Sequence, residues 1–193
     1  MPVCWPPRPR ITNSPSTPAM CAKKKNLSSV EGLPVPDASN MCFGILTSAW
    51  NSQITEALQQ GAVNTLKAHG VKDADIIIHK VPGSYELPQA AAYMIRELPV
   101  DAVICLGCLI QGETRHFEFI SQAVANACMT IGLETYRPVI FGVLTTDTFE
   151  QAAQRSGGKH GNKGDEAAVA AIQMIHLKRK MKSDSQEFRD TVQ

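Results

Sequence analysis

Residues 102–131 determine the fold, and they read AVICLGCLIQGETRHFEFISQAVANACMTI. The apolar run at residues 102–106 is typical of a buried β-strand, and a polar loop follows it. Beyond the loop, apolar side chains recur every three or four residues, which predicts a helix with one apolar face. A buried strand followed by such a helix is the unit from which parallel sheets with covering helices are built.

The same alternation of strand and helix extends over the chain from about residue 41. Strands are predicted at residues 42–49, 76–81, 102–106 and 139–144. A helix should follow each strand, and Pro88 fits the first turn of the second helix, where its missing N–H costs nothing. Asp147 and Glu150 resemble a capping box for a short helix, which precedes a final helix around residues 167–175. Four such units with right-handed crossovers predict an open, doubly wound α/β sheet.

Composition excludes several classes of partner. The chain has 193 residues, which suits one domain, and its 19 Lys and Arg nearly balance its 18 Asp and Glu. No overall field therefore favours nucleic acid or an acidic membrane surface. No run of about 18 apolar residues is present, so we expect no membrane-spanning helix.

The two ends of the chain differ from its middle. Residues 1–40 hold eight of the twelve prolines, and no acidic residue precedes Glu31. Such a segment buries too little apolar surface to order itself, so we predict a disordered N-terminal extension over residues 1–40. An organellar transit peptide is disfavoured because the prolines would break its amphipathic helix. The domain is expected to span residues 41–182, with a flexible tail at residues 183–193.

Four of the six cysteines, at positions 42, 105, 108 and 128, lie within apolar runs. We interpret them as reduced core thiols. Cys105 and Cys108 form a C-x-x-C, but a strand-like run joins them, whereas a redox pair usually opens a helix. A zinc site would need a second pair, which the sequence lacks.

Ligands of a doubly wound sheet bind beyond the carboxyl ends of its strands, which selects residues 49–52, 82–86, 107–116 and 142–147. His116 lies there, at the start of a helix, and histidine exchanges protons near neutral pH because its reference pKa is about 6.5. We therefore assign proton transfer to His116. The other four histidines lack this position and are interpreted as helix-capping or solvent-exposed.

Three further features indicate binding. Residues 155–164, RSGGKHGNKG, are glycine-rich and cationic and lead into a helix, so they fit either a phosphate site with Arg155 or an ordinary turn. Trp50 and Tyr85 follow the first two strands and fit either a crevice that stacks on a flat heterocycle or the core. Glu86 could accept substrate hydrogen bonds or favour a helix dipole, and Phe141 is expected in the core.

Five separated motifs occur together in unbroken order. They are WN at residues 50–51, VPGSYELP at 81–88, GCLIQGETRHFE at 107–118, PVIFGVLT at 138–145 and GNKG at 161–164. From about residue 43 to residue 175, the chain closely resembles the lumazine synthase family. The resemblance implies a three-layer α/β/α sandwich with a central four-stranded parallel, flavodoxin-like sheet.

The resemblance also implies an activity. Lumazine synthases are transferases that condense 5-amino-6-(D-ribitylamino)uracil with 3,4-dihydroxy-2-butanone 4-phosphate, releasing phosphate and water, in the penultimate step of riboflavin biosynthesis. No cofactor and no metal are implied, and a cytoplasmic location is expected. His116 is the implied general acid/base. The implied substrate-binding residues are Trp50, Ser84, Tyr85, Glu86, Cys108, Leu109, Ile110, Glu113, Thr114, Phe141, Arg155 and Lys163.

Two departures from the family concern the substrates. Trp50 and Tyr85 stand where many members carry Phe, which preserves the stacking surface. Arg155 is the implied phosphate ligand, with Glu113 and Thr114 beside it. The carboxylate of Glu113 would repel phosphate, so we expect its backbone N–H to face the ligand.

The resemblance further implies homopentamers whose sites lie between adjacent subunits, and twelve pentamers can close into an icosahedral capsid of 60 subunits. Members that stop at pentamers often carry an insertion around residues 157–163, which this chain lacks. Its long N-terminal extension nevertheless keeps the pentamer open as an alternative. Riboflavin synthase is a candidate partner.

Other functions remain open at this point. One is riboflavin synthase activity, by dismutation of the lumazine on a related scaffold, and another is a non-catalytic cage that binds flavin or lumazine. His116, Arg155 and Lys163 argue against the cage, because mere binding needs neither an acid/base nor a phosphate ligand. A generic nucleotide-binding domain is disfavoured because residues 48–51, SAWN, are not a glycine-rich loop.

Overall fold

A four-stranded parallel sheet, with strand order β2-β1-β3-β4, organises the chain. The structure is a computed structural model and describes residues 34–192. The strands are β1 (Phe43–Ser48), β2 (Ile76–Val81), β3 (Ala102–Ile110) and β4 (Val139–Thr146). The order reverses between β1 and β3, as in flavodoxin-like sheets.

Helices cover both faces of the sheet. They are α1 (Ser52–Ala68), α2 (Leu87–Glu97), α3 (His116–Thr135), α4 (Phe149–Ala153) and α5 (Lys163–Val192). Helices α1 and α5 pack on one face, and α2 and α3 pack on the other. A short antiparallel ribbon of β5 (Ser156–Gly158) and β6 (Gly161–Asn162) joins α4 to α5. The predicted three-layer α/β/α sandwich is confirmed.

The central strands contribute side chains to two apolar cores, because successive side chains of a strand point to opposite faces of the sheet. Ile45 and Ile104 pack towards α1 and α5, whereas Leu46 and Cys105 pack towards α2 and α3. All four side chains are buried. Burial on both faces explains why these strands appear in the sequence as continuous apolar runs instead of alternating ones.

Strand β3 is longer than predicted. Gly107 was expected to begin a loop, but β3 continues to Ile110, which pairs with Thr146 of β4. The glycine is required for packing, since a Cβ at this position would lie 2.5 Å from Oγ of Ser84. The loop is thereby shortened to residues 111–115.

The capping box predicted at Asp147 and Glu150 was wrong. The N-cap of α4 is Thr148, whose Oγ1 accepts a hydrogen bond from the N–H of Gln151 at 3.2 Å. Oε1 of Gln151 in turn accepts one from the N–H of Asp147 at 2.9 Å. The cap is therefore formed by Thr148 and Gln151, one residue later than expected, and Gln151 bonds the residue before the N-cap instead of the N-cap itself.

The start of α5 packs on α1 through the GNKG motif. Oδ1 of Asn162 accepts from the N–H of Gly164 at 2.8 Å, while its Nδ2 donates to the carbonyl of Ala57 at 2.8 Å. Gly164 lies so close to α1 that a Cβ there would overlap the carbonyl oxygen of Leu58. Lys163 is thus held between a helix cap and a close helix–helix contact.

The N-terminal end of the described chain packs on the domain, and the C-terminal end extends from it. Residues 34–40 belonged to the predicted extension, yet Ala38 is fully buried and its N–H donates to the carbonyl of His69 at 2.8 Å. The prediction for residues 1–33 lies outside the described residues. Helix α5 continues past residue 182 to Val192, with exposed side chains from residue 176 to 191, and the flexibility of this tail stays a prediction.

In residues 34–192, no helix has the length and apolar character needed to cross a bilayer.

Because α5 lies so close to α1 at Gly164, one added methyl group at this position should strongly destabilise the fold. Gly164→Ala should lower the free energy of unfolding by about 2–4 kcal/mol, because the new Cβ meets backbone that cannot move aside. Gly112→Ala is the matched control, since nothing lies within 4 Å of a Cβ there. Thermal unfolding should show a loss of roughly 5–10 °C for the first variant. Equal melting temperatures for both variants would contradict the packing described.

Candidate active site

A crevice of about 1030 Å³ opens where the strand order reverses, beyond the carboxyl ends of β1 and β3. The residues that line it come from the β1–α1 loop, the turn after β2, the end of β3 and the first turns of α3. They are Trp50, Asn51, Gly83, Ser84, Tyr85, Glu86, Cys108, Leu109, Ile110, His116, Phe119, Ile120 and Ala123. Eight of them were predicted, and this location is the one expected for a doubly wound sheet.

Three aromatic rings border the crevice and face solvent. The exposed fractions of Trp50, Tyr85 and Phe119 are 72%, 61% and 68%. The alternative that Trp50 and Tyr85 fill the core is therefore wrong. Large exposed apolar groups gathered at one place are typical of a surface that a ligand or another protein covers.

Gly83 brings an acceptor next to an aromatic surface. A Cβ at Gly83 would lie 3.0 Å from Oε2 of Glu86 and 3.3 Å from Cδ1 of Trp50, so both side chains pack against this residue. A ring stacked on the indole would therefore have a carboxylate within reach of its N–H groups. This arrangement suits a flat, hydrogen-bonding heterocycle.

Ser84 supplies a buried hydroxyl. It begins the 3₁₀ turn Ser84–Glu86 and is 4% exposed. Its Oγ has no hydrogen-bond partner among the described residues. Buried polar atoms are rarely left unpaired, so this hydroxyl is available to a ligand or a water molecule in the crevice.

Asn51 connects the two strand ends at the base of the crevice. Strand β1 pairs with β3 only as far as Leu106, and Nδ2 of Asn51 donates to the carbonyl of Cys108 at 3.0 Å. Asn51 adopts a left-handed backbone (φ 56°, ψ 45°), which asparagine tolerates well. It was not predicted as a site residue. Its place beside Trp50 in the loop after the first predicted strand was the signal that could have identified it.

The cysteine thiols near the crevice are poor nucleophiles. Burial raises the pKa of Cys108 to about 11, so its thiol is uncharged at neutral pH. Cys105, three residues earlier on the same strand, points to the opposite face, where it packs in the same buried cluster as Cys128. The C-x-x-C motif therefore places its two sulfurs on different sides of the sheet and forms no redox pair.

His116 is the first residue of α3, as the sequence predicted. Its side chain is exposed and lines the crevice across from the turn after β2. An imidazole in this position can approach a bound ligand while remaining open to exchange of protons with water. Among residues 34–192, no three His, Cys, Asp or Glu side chains lie close enough together to hold a metal ion.

The other predicted residues do not line this crevice. Phe141, Arg155 and Lys163 border a separate hollow of about 390 Å³ between β4 and the start of α5. Phe141 is 39% exposed there, so the expectation that it belongs to the core was wrong. Glu113 and Thr114 are exposed in the loop after β3 and line neither cavity.

Side chains dominate the electrostatics of the hollow. The N–H of Lys163 donates to the carbonyl of Arg155 at 2.9 Å, and the N–H of Gly164 donates to Asn162, so the first two amides of α5 already have partners. The cationic side chains that an anion in the hollow would meet are those of Arg155 and Lys163. Nζ of Lys163 lies 2.7 Å from both carboxylate oxygens of Glu166. Glu166 was missed, although its place three residues after Lys163 on one helix indicated such a pair.

Comparison with known proteins agrees with this geometry. The family model described as 6,7-dimethyl-8-ribityllumazine synthase matches residues 40–179. A protein of that name from Cytophaga hutchinsonii is 53% identical over 81% of this chain and 98% of its own length. Relatives with the same name from Phocaeicola vulgatus and Aquifex aeolicus are 45% and 44% identical, covering 84% and 72% of this chain and 96% and 91% of their own lengths.

The match spans the whole sheet and every residue that lines the crevice and the hollow. Identity of this extent, over nearly the full length of the relatives, goes well beyond a shared fold. The chain belongs to the 6,7-dimethyl-8-ribityllumazine synthase family.

Proposed function

We propose that the crevice binds 5-amino-6-(D-ribitylamino)uracil and condenses it with 3,4-dihydroxy-2-butanone 4-phosphate, with His116 as the general acid/base. Family membership makes the chain a transferase of riboflavin biosynthesis. The observation that carries the assignment of residues is the meeting of His116, Trp50 and Glu86 in one crevice at the strand reversal. Trp50 stacks on the pyrimidine, and Glu86 accepts from its N–H groups or from the ribityl hydroxyls.

The chemistry needs little beyond orientation and proton transfer. Two carbon–nitrogen bonds form between the pyrimidine and the ketose, and phosphate and water leave. Each step moves a proton, and one histidine can give and take protons near neutral pH. Holding two reactants side by side can give effective molarities of about 10⁵ M or more. The high pKa of Cys108 argues against a covalent thiolate step, so backbone contacts at Cys108, Leu109 and Ile110 fit a positioning role.

We further propose that the phosphate binds to Arg155 and Lys163 of an adjacent subunit. The crevice, lined by Trp50 and His116, has no Lys or Arg among its lining residues, whereas the hollow has two. Pairing the crevice of one subunit with the hollow of the next would complete the site. Glu113 and Thr114, in the loop that joins Ile110 to His116, would meet the phosphate through backbone N–H groups.

Helix α3 supports such an assembly. Its large exposed apolar side chains follow a three-to-four spacing along one stripe, which Gln122 and Asn126 complete. They are Phe119, Met129 and Leu133, with Tyr136 just after the helix. Stripes of this kind pack against another helix. This supports a homopentamer built through α3. Closure of pentamers into an icosahedral capsid and binding of riboflavin synthase stay predictions from the family resemblance.

Replacing the proposed acid/base tests the crevice. His116→Ala should lower kcat about 100-fold or more while leaving the pyrimidine's affinity nearly unchanged, because Trp50 and Glu86 still bind it. Steady-state absorbance assays of lumazine formation, with equilibrium binding of the pyrimidine, separate the two effects. His79→Ala, an exposed histidine on β2, is the matched control and should retain full turnover. Equal turnover of wild type and His116→Ala would refute the assignment.

Mixed assemblies test whether the site is shared. Arg155→Ala alone should raise KM for the phosphorylated ketose about tenfold or more. When His116→Ala and Arg155→Ala chains are unfolded and refolded together in equal amounts, about one quarter of shared sites should pair an intact His116 with an intact Arg155. At ketose concentrations well below KM, about a quarter of wild-type activity should therefore return. If the two residues act within one subunit, the mixture will be no more active than the separate variants.

A further inference from the structure

We infer that Glu166 sets the affinity of the hollow for phosphate by neutralising Lys163, and so keeps the released phosphate from being retained. The inference rests on the proposed binding of phosphate in the hollow. Glu166 contacts Lys163, a proposed ligand of the phosphate, and no part in proton transfer is assigned to it. Glu166 is thus a positioning and affinity-determining residue for the phosphate end of the reaction.

The contact between Lys163 and Glu166 is close and partly shielded from water. Nζ of Lys163 lies 2.7 Å from Oε1 and 2.7 Å from Oε2 of Glu166, so the ammonium bridges both carboxylate oxygens. The side chains are 27% and 24% exposed, and both line the hollow. A phosphate that approaches Lys163 must therefore compete with a carboxylate already in contact.

Few other charges act on the hollow. Arg155 is its second cation, and Nη1 of Arg155 donates to the backbone carbonyl of Gln151 at 2.9 Å. Asp165, the neighbour of Glu166, faces α1 instead, where it accepts from Oγ1 of Thr65 at 3.3 Å. With Glu166 ionised, the side chains that line the hollow carry one net positive charge. Without it they carry two.

The reaction gives a reason why a lower net positive charge in the hollow would be useful. Phosphate is both a group of the substrate and a product, so tighter binding of the substrate's phosphate also means tighter binding of the product. Two backbone N–H groups at the start of α5, those of Lys163 and Gly164, already have partners. Side-chain charge is then one means of adjusting affinity, and Glu166 is the one anion that lines the hollow among the described residues.

Glu166→Gln tests the inference directly. It keeps the size of the side chain but removes the charge, so the inhibition constant for inorganic phosphate and KM for the phosphorylated ketose should both fall, by about 3- to 10-fold. Assembled mass and melting temperature establish that the variant is folded. A purely structural role for Glu166 would lower stability and kcat without tightening phosphate, and this result would overturn the inference.

Three further variants fix the cause. Glu187→Gln makes the same change far along α5, where the side chain is exposed, and should leave phosphate inhibition unchanged. Glu166→Asp keeps the charge and should stay near wild type. Adding Lys163→Met to Glu166→Gln should abolish the gain, because the freed ammonium is then absent. A gain in Glu187→Gln, or one that persists without the lysine, would overturn the inference.

Arg155→Ala separates this inference from the proposed function. If phosphate inhibition weakens in Arg155→Ala but does not tighten in Glu166→Gln, the hollow binds phosphate and only the role of Glu166 fails. If phosphate inhibition is unchanged in Arg155→Ala, the hollow is not the phosphate site, and the proposed phosphate-binding role of Arg155 and Lys163 fails together with the inference. Both variants are assayed as the full assembled chain with inorganic phosphate as the probe.

Discussion

The site depends on one structural constraint, namely that β1 stops pairing with β3 before β3 ends. The register runs only to Leu106, while β4 supports β3 as far as Ile110. The carbonyl of Cys108 needs a partner, as buried backbone groups do, and Nδ2 of Asn51 provides it. That bond holds the β1–α1 loop against β3, and Trp50 is consequently kept at the mouth of the crevice.

A second constraint places the cations. Three of the four residues in GNKG have structural tasks. Gly161 takes a positive φ of 74° in the turn, Asn162 caps α5, and Gly164 allows close packing on Leu58. Lys163 is the member left for chemistry. A motif that looked like a phosphate loop is thus a docking contact between two helices that presents one ammonium group.

The order and type of the elements could be predicted because central strands buried on both faces leave continuous apolar runs, and covering helices leave a three-to-four spacing. The end of β3 could not be predicted, because Gly107 resembles a turn signal. The side chains that require a glycine at this position, Ser84 and Leu87, belong to another segment of the chain. His116 was predictable from its place after a strand. The pairing of Glu166 with Lys163 depended on side-chain directions that spacing only suggests.

The division of groups between crevice and hollow links function to assembly. The crevice has an aromatic surface and the imidazole of His116 but no Lys or Arg among its lining residues, whereas the hollow has two cationic side chains but no histidine. Exposed rings such as Trp50 and Phe119 would favour aggregation of an isolated chain, yet the same rings must stay uncovered by their own subunit if a neighbour is to complete the site. Selection for a shared site and selection for a stable assembly would then act on the same surface. Substitutions that weaken the packing of α3 against a neighbouring subunit should therefore lower activity and solubility together.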